Sequence, residues 1–253
     1  MKKVMLFVAA LAVLCSCELN LFGRLVQGNG VSMDTEIKVG EFDAVSLVGS
    51  MDVYFTQSAG PQSVVLTCDE NLADYFEIEV RNNTLVLSTK SGYILSTKAP
   101  TFVTVSAPAL KSAKITGSGD IHIKEDLKAE GDFTCQVSGS GDLFAEGAIS
   151  CRDLNSKITG SGNISLYKLV AESSRFTVSG SGDIGVNLIT SDSIIAIVNG
   201  SGNISLDCKG SGDIDARING SGDITLCGTA RSLKQKVVGS GDLNLSHLVL
   251  VGE

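Results

Sequence analysis

Tryptophan is absent from this 253-residue chain, and histidine (two), proline (three) and tyrosine (four) are scarce. Without tryptophan the chain lacks the broad aromatic platform on which sugars commonly stack, and two histidines, neither near a nucleophile or a ligand set, read as strand decoration before they read as a metal centre or a catalytic base. No run of basic residues occurs, and 20 Lys and Arg face 28 Asp and Glu for a formal charge of −8. Nucleic-acid binding depends on neutralising phosphates, so this balance argues against it. The chain also lacks a hydrophobic run long enough for a spanning helix; Val4 to Leu14 is too short. Gly-x-Ser-x-Gly, a phosphate-binding glycine loop with lysine and His-Glu-x-x-His are all missing. His122 and His247 stand without a neighbouring nucleophile or ligand set in the sequence.

Glycine, by contrast, is abundant and ordered. Gly-Ser-Gly-Asp or Gly-Ser-Gly-Asn begins at Gly117, Gly139, Gly160, Gly180, Gly200, Gly210, Gly220 and Gly239. Leaving out the copy at Gly210, the steps are 22, 21, 20, 20, 20 and 19 residues. A period of this size marks a solenoid in which each repeat adds one coil. Ile115, Val137, Ile158, Val178, Val198, Ile218 and Val237 stand two residues before the motifs, and Ile121, Leu143, Ile164, Ile184, Ile204, Ile224 and Leu243 directly follow them. Two residues further on come Ile123, Ala145, Leu166, Val186, Leu206, Leu226 and Leu245. The alternation is that of a β-strand, and coils stacked at about 4.8 Å would turn each column into an internal ladder. About seven coils give a rod of roughly 34 Å. The expected fold is therefore all-β, a parallel β-helix over residues 111–253. Each motif forms a corner with its glycines inward and its Ser and Asp or Asn outward. The copy at Gly210 falls half a coil away and predicts a second corner.

Lys2 and Lys3 followed by Val4 to Leu14 have the form of a secretory signal over residues 1–16. Leu14-Cys15-Ser16-Cys17 resembles a bacterial lipobox, which implies lipidation of Cys17 and a membrane anchor; a plain signal peptide is the alternative. Losing Lys2 and Lys3 would leave 18 basic against 28 acidic residues, a charge of −10, so membrane attachment would rest on lipid and not on a basic face. Residues 17–35, polar and glycine-rich in part, are expected as a tether, although Leu19, Leu21, Phe22, Leu25 and Val26 can pack against something. Residues 36–110 read as short strands with one helical turn, an atypical terminal unit covering the first coil, with Gly49-Ser50-Met51-Asp52 as a degenerate motif. Without Cys15 and Cys17 five cysteines remain, an odd number that cannot complete a disulfide framework. Cys208 and Cys227 each precede the next motif by twelve residues and are expected as stacked neighbours, in a reduced ladder or a disulfide.

Phe42-Asp43-Ala44-Val45, Gly49-Ser50-Met51-Asp52-Val53, Asp69-Glu70-Asn71-Leu72, Asn83-Thr84-Leu85 and Ala107-Pro108-Ala109-Leu110, leading into the first full motif, together resemble the putative auto-transporter adhesin, head GIN domain family. The resemblance spans roughly residues 36 to 245. It implies a β-helical lipoprotein of the cell envelope, at the outer membrane, and its name suggests adhesion; it brings no binding residues with it.

Asp120, Asp142, Asn163, Asp183, Asn203, Asp223 and Asp242 would stack. Two carboxylates about 4.8 Å apart repel by roughly 0.9 kcal/mol in water and about 3.5 kcal/mol at an effective dielectric near 20. The asparagines relieve part of this; hydrogen bonds from hydroxyls and backbone N–H groups, or Ca²⁺ held by Asp120, Asp142, Asp183, Asp223 and Asp242, would meet the rest. No other cofactor is expected. One identical residue per coil suits a structural ladder better than a catalytic pair, so the reading is a non-catalytic adhesin or binding scaffold with an envelope protein or polysaccharide as partner. A carbohydrate-active β-helical enzyme and a self-assembling scaffold are the alternatives. His247-Leu248-Val249-Leu250-Val251 shows no polar cap, and an uncovered edge there would permit end-to-end association.

Overall fold

A computed structural model of the chain describes residues 23–252, and the signal segment and Cys17 lie outside the described residues. The architecture is an all-β solenoid of coils about 20 residues long, with a curled mixed sheet at its N-terminal end. Each later coil is one long strand running from just after one motif to the first glycine of the next: Leu143–Gly160, Ile164–Gly180, Ile184–Gly200, Ile204–Gly220 and Ile224–Gly239. Successive coils pair in parallel, so that Ile164 lies beside Ile184, and Ile204 beside both Ile184 and Ile224. The three aliphatic columns predicted from spacing are buried throughout the stack. Only in the last coil do they emerge, Val237 being 44% exposed, because the last described strand pairs with Ile224 to Ala230 and not with Val237.

Alternation alone does not close a coil. Between Ile164 and Val178 the buried positions are Ile164, Leu166, Leu169, Ala171, Ser174, Phe176 and Val178, so the period of two slips once after Leu166 and again after Ala171. Each slip is a bend, which gives every coil two turning points besides the motif. Gly210, with φ of +66°, lies between the buried Cys208 and Ser211, where the register of its coil with its neighbours shifts.

The motif glycines answer to the coil beneath them. Gly180 has φ of +149°, a backbone that a side chain opposes, and an added Cβ would stand 2.2 Å from the carbonyl oxygen of Gly160. At Gly182 the φ is unremarkable, yet an added Cβ would lie 1.9 Å from the carbonyl oxygen of Gly162. Backbone hydrogen bonds draw the corners this close: the carbonyl of Gly160 accepts both Ser181 N–H at 2.8 Å and Gly182 N–H at 3.2 Å, and the pattern recurs up the stack. The degenerate corner explains its own exception. Met51 occupies the second glycine position, but its coil is the first to carry a motif, and its buried side chain lines the hollow of the cap beside Phe76 and Leu95.

Ala44–Gly49 and Asp52–Gln57 form that first coil, pairing in parallel with Ser112–Gly117 and Ile121–Ile123. On their other side Thr84–Thr89 and Phe102–Ala107 add a further parallel layer. Antiparallel strands then end the stack: Phe76–Arg81 against Thr84–Thr89, and Ser63–Asp69 between Phe102–Ala107 and Ser32–Glu36. A change from parallel to antiparallel pairing interrupts the register by which another coil would add.

Two expectations are corrected here. Residues 24–35 are not tether: Arg24–Gln27 pairs in parallel with Tyr93–Ser96, and Ser32–Glu36 is a sheet strand. Gly28 is there for close approach, since an added Cβ would fall 2.4 Å from the Asp69 carboxyl group, and Gly30 for its φ of +82°. That buried carboxylate accepts N–H groups from Gly30 (2.6 Å), Lys98 (2.9 Å) and Ala99 (3.1 Å). Asn71 accepts from Asn29 N–H and donates to the Gln27 carbonyl, both at 2.8 Å. Asp69-Glu70-Asn71-Leu72 is thus a staple for residues 27–31. Cys208 and Cys227, second, are not in register: Cys208 pairs with Gly228, and Cys227 with Asp207. The 19-residue coil drops its residue after Cys227, so position is set by the preceding motif and not by the following one. All five described cysteines are free thiols.

Gly182→Ala is expected to destabilise the protein by about 3 kcal/mol through backbone overpacking. Gly185→Ala, where an added Cβ meets nothing within 4 Å, should be neutral or slightly stabilising; urea denaturation followed by circular dichroism compares the two. Asp69 supplies a pH signature. Burial works to raise its pKa, but the amide donors and the Lys98 charge outweigh this and hold it below the ordinary carboxylate value. Its contribution is therefore complete above the unfolded-state pKa of about 3.9 and is lost as pH falls through the lower folded value. Asp69→Asn should lower the melting temperature at pH 7, with the gap to the parent narrowing as the pH drops below about 4.

Candidate functional site

The outward corner of the solenoid carries one continuous polar ladder. In each rung the backbone N–H of the motif Asp or Asn donates to the Oδ1 of its counterpart one coil below. The distances are 2.8 Å for Asp142 to Asp120, 2.7 Å for Asn163 to Asp142, and 3.0 Å for Asp183 to Asn163. Asn203 to Asp183 follows at 2.8 Å, Asp223 to Asn203 at 2.9 Å and Asp242 to Asp223 at 2.8 Å. Asp52 of the degenerate motif begins the series, accepting Asp120 N–H at 3.2 Å. The two asparagines do more than remove charge, since the Nδ2 groups of Asn163 and Asn203 each donate at 2.9 Å to the aspartate beneath. Backbone amides, supplemented by these side-chain amides, meet the stacked carboxylates.

This bears on the calcium candidates Asp120, Asp142, Asp183, Asp223 and Asp242. The ladder does bring them into one file, but each shares its Oδ1 with an amide of the coil above where one follows. Among the described residues no group of three or more His, Cys, Asp or Glu side chains is placed to hold a metal ion. Asp213, from the odd motif, stands apart from the file. Hydrogen bonds from Arg231 and Ser232 of the next coil pull its pKa down to about 2, making it a clamp between coils.

A second outward file was not anticipated. Tyr54, His122 and Phe144 occupy the same position in three successive coils, five residues after the first glycine of the motif, and their rings stack with centroids 5.0 Å apart. Phe102 closes one end edge-on at 5.4 Å. Aligning the degenerate motif at Gly49 with Gly117 and Gly139 would have revealed this file. Beyond Phe144 the same file continues as Ser165, Gly185, Ser205 and Thr225, and the absent side chain at Gly185 leaves a shallow groove of about 330 Å³ bordered by Asn187 and Asp207. His247 lies beside Cys227 in the last coil and touches Ser246 Oγ at 3.1 Å.

Catalytic geometry does not emerge from these groups. Burial pushes the Cys208 thiol up to about 11 and the Cys151 thiol up to about 12, the wrong direction for a nucleophile. The hollow of about 610 Å³ near Phe42, Gln62 and Pro108 contains Asp43, but Lys111 pairs with that carboxylate at 2.5 Å.

At the far end, the terminal edge runs through Leu243–Leu250, with Val249 and Leu250 more than half exposed. This is the surface on which end-to-end association would act. The neighbouring strand bears Lys234 and Lys236, and Gln235 takes the file of Ala196 and Ala216; such residues oppose edge pairing.

The family model described as "Putative auto-transporter adhesin, head GIN domain" matches residues 41–210 and 174–251, and the chain belongs to that family. No curated protein matches it. Among solved structures, one from Parabacteroides distasonis described as a putative lipid binding protein is 27% identical, with a TM-score of 0.76 over 89% of this chain and 100% of its own. A putative adhesin from Bacteroides fragilis is 22% identical, with a TM-score of 0.79 over 88% of this chain and 100% of its own. A third, from Parabacteroides merdae, is 21% identical, with a TM-score of 0.74 over 89% and 99%. The latter two share the fold.

Asp183→Asn should leave stability nearly unchanged, because the amide oxygen can still accept Asn203 N–H, whereas Asp183→Ala should cost about 1 kcal/mol in urea denaturation. Millimolar Ca²⁺ added to metal-free protein should produce neither titration heat nor a shift in melting temperature.

Proposed function

We propose that the protein is a non-catalytic binding scaffold of the cell envelope, anchored in the outer membrane through lipid on Cys17, that presents its polar ladder to an envelope protein or polysaccharide. The observation that carries this reading is the separation of inside from outside. The interior of the described coils is filled by buried, mainly aliphatic files, while the outward corner repeats Ser with Asp or Asn from coil to coil. A regular face of this kind suits an extended partner touching several coils, whereas catalysis needs a local exception in one of them. The family description as an adhesin supports a role outside the cytoplasm and a non-catalytic one. The lipobox-like Leu14-Cys15-Ser16-Cys17 supports the anchor.

Immobilised residues 18–253 are expected to retain a specific envelope component, protein or polysaccharide, with retention weakened by charge reversal at Asp183 and Asp223. Turnover of acidic polysaccharides by the same protein would overturn the non-catalytic reading. In cells, Cys17→Ser should move the protein from the membrane fraction to the soluble fraction; unchanged fractionation would remove the anchor.

A further inference from the structure

The first described strand begins at Arg24, only seven residues after Cys17 in the sequence. We propose that the ribbon of Arg24–Gln27 and Tyr93–Ser96 rests on the phospholipid surface, with Leu25 and Ile94 entering the interfacial region. This inference depends on the anchor at Cys17 proposed above.

Its first support is distance. Six residue steps separate Cys17 from Gly23, so fully extended chain places the start of the ribbon at most about 20 Å from the acylated residue. The headgroup layer on each side of a bilayer occupies roughly 7 Å of that span. A cap held so near the bilayer meets it at high effective concentration, so a small apolar contact suffices to orient it.

The second support is the ribbon itself. It is a separate two-stranded sheet, with Leu25 beside Ile94 and Val26 beside Leu95 in register. Leu95 turns into the cap hollow with Met51 and Phe76, while Leu25 and Ile94, 57% and 46% exposed, form an adjacent aliphatic pair on the opposite side. Tyr75 and Tyr93 pack edge to face at 4.8 Å, and Tyr93 shares the cap-facing side of its strand with Leu95, so that this pair braces the ribbon and leaves Ile94 turned outward. Exposed Arg24, Lys90 and Lys98 are balanced by the exposed acids Glu70 and Asp74 of the adjoining helical turn together with the buried Asp69 carboxylate beside Lys98, so the contact is apolar and not one that requires anionic lipid. The opposite end of the stack, with its open terminal edge, then points away from the bilayer and the polar ladder stands clear of it.

The absence of tryptophan makes the test direct, because Leu25→Trp, Ile94→Trp and Tyr167→Trp each create a unique reporter. Full-length protein carrying its lipid is placed in phosphatidylcholine vesicles, and brominated phosphatidylcholine serves as quencher. The expected result is a blue-shifted emission with strong quenching for Trp at 25 and 94, and neither for Trp at 167 in the middle of the solenoid. Equal, weak quenching at all three positions overturns the proposal. A blue shift without vesicles that grows with protein concentration also overturns it, by assigning the ribbon to a second copy. Flotation and mass spectrometry of the same sample report acylation separately. Should acylation be absent, residues 18–253 with an N-terminal histidine tag on nickel-chelating vesicles repeat the measurement, and selective quenching at 25 and 94 supports the surface contact independently of the natural anchor.

Discussion

The approach of backbone to backbone at the Gly-Ser-Gly corner governs the rest of the structure. There the carbonyl of one motif glycine accepts two amides from the coil above, and any Cβ at the glycines above would stand about 2 Å from a carbonyl oxygen of the coil below. This fixes the axial spacing of the corner, and with it the spacing of every file on either side. The aliphatic files make continuous contact because the corner holds the coils at strand distance, and the Asp and Asn side chains reach the next amide for the same reason. One constraint, repeated, produces both the core and the surface ladder.

Much of this was legible in the sequence because the repeat records it directly. A period near 20, glycine pairs and β-branched residues at alternate positions leave few other folds that satisfy all three. What escaped was whatever depends on more than one coil's worth of residues. Gly28 and Gly30 read as linker because their partner, Asp69, lies about forty residues on and carries no repeat signature. The Cys208 and Cys227 pairing went astray because a single-residue deletion changes register on one side of it only, and spacing does not say which side. The aromatic file of Tyr54, His122 and Phe144 was hidden because its members differ in type and one belongs to the degenerate coil.

The Asp and Asn file shows how far identical residues can be read as function. Stacked carboxylates suggest a cation when seen as letters, because repulsion at coil spacing must be met somehow. In the structure each rung answers that repulsion with an amide from the next backbone, and asparagine adds a second donor at two levels. Repetition of the aspartate is thus a consequence of repetition of the corner. The odd Asp213 supports the distinction, for once outside the file it takes Arg231 and Ser232 as partners instead.

If the motif residues are the same on every coil because stacking requires them, what distinguishes one partner from another must lie in outward positions that the stack leaves free to vary. Along the file after the motif, aromatic rings occupy the first coils and then give way to Ser165, Gly185, Ser205 and Thr225, with Asn187 and Asp207 bordering the groove that Gly185 opens. These changes alter neither the buried files nor the corner hydrogen bonds, so selection can rewrite them without cost to the fold. The surface is therefore divided by physics into residues that hold the coils and residues that distinguish one coil from another. A partner that spans several coils would take its register from the first set and its specificity from the second.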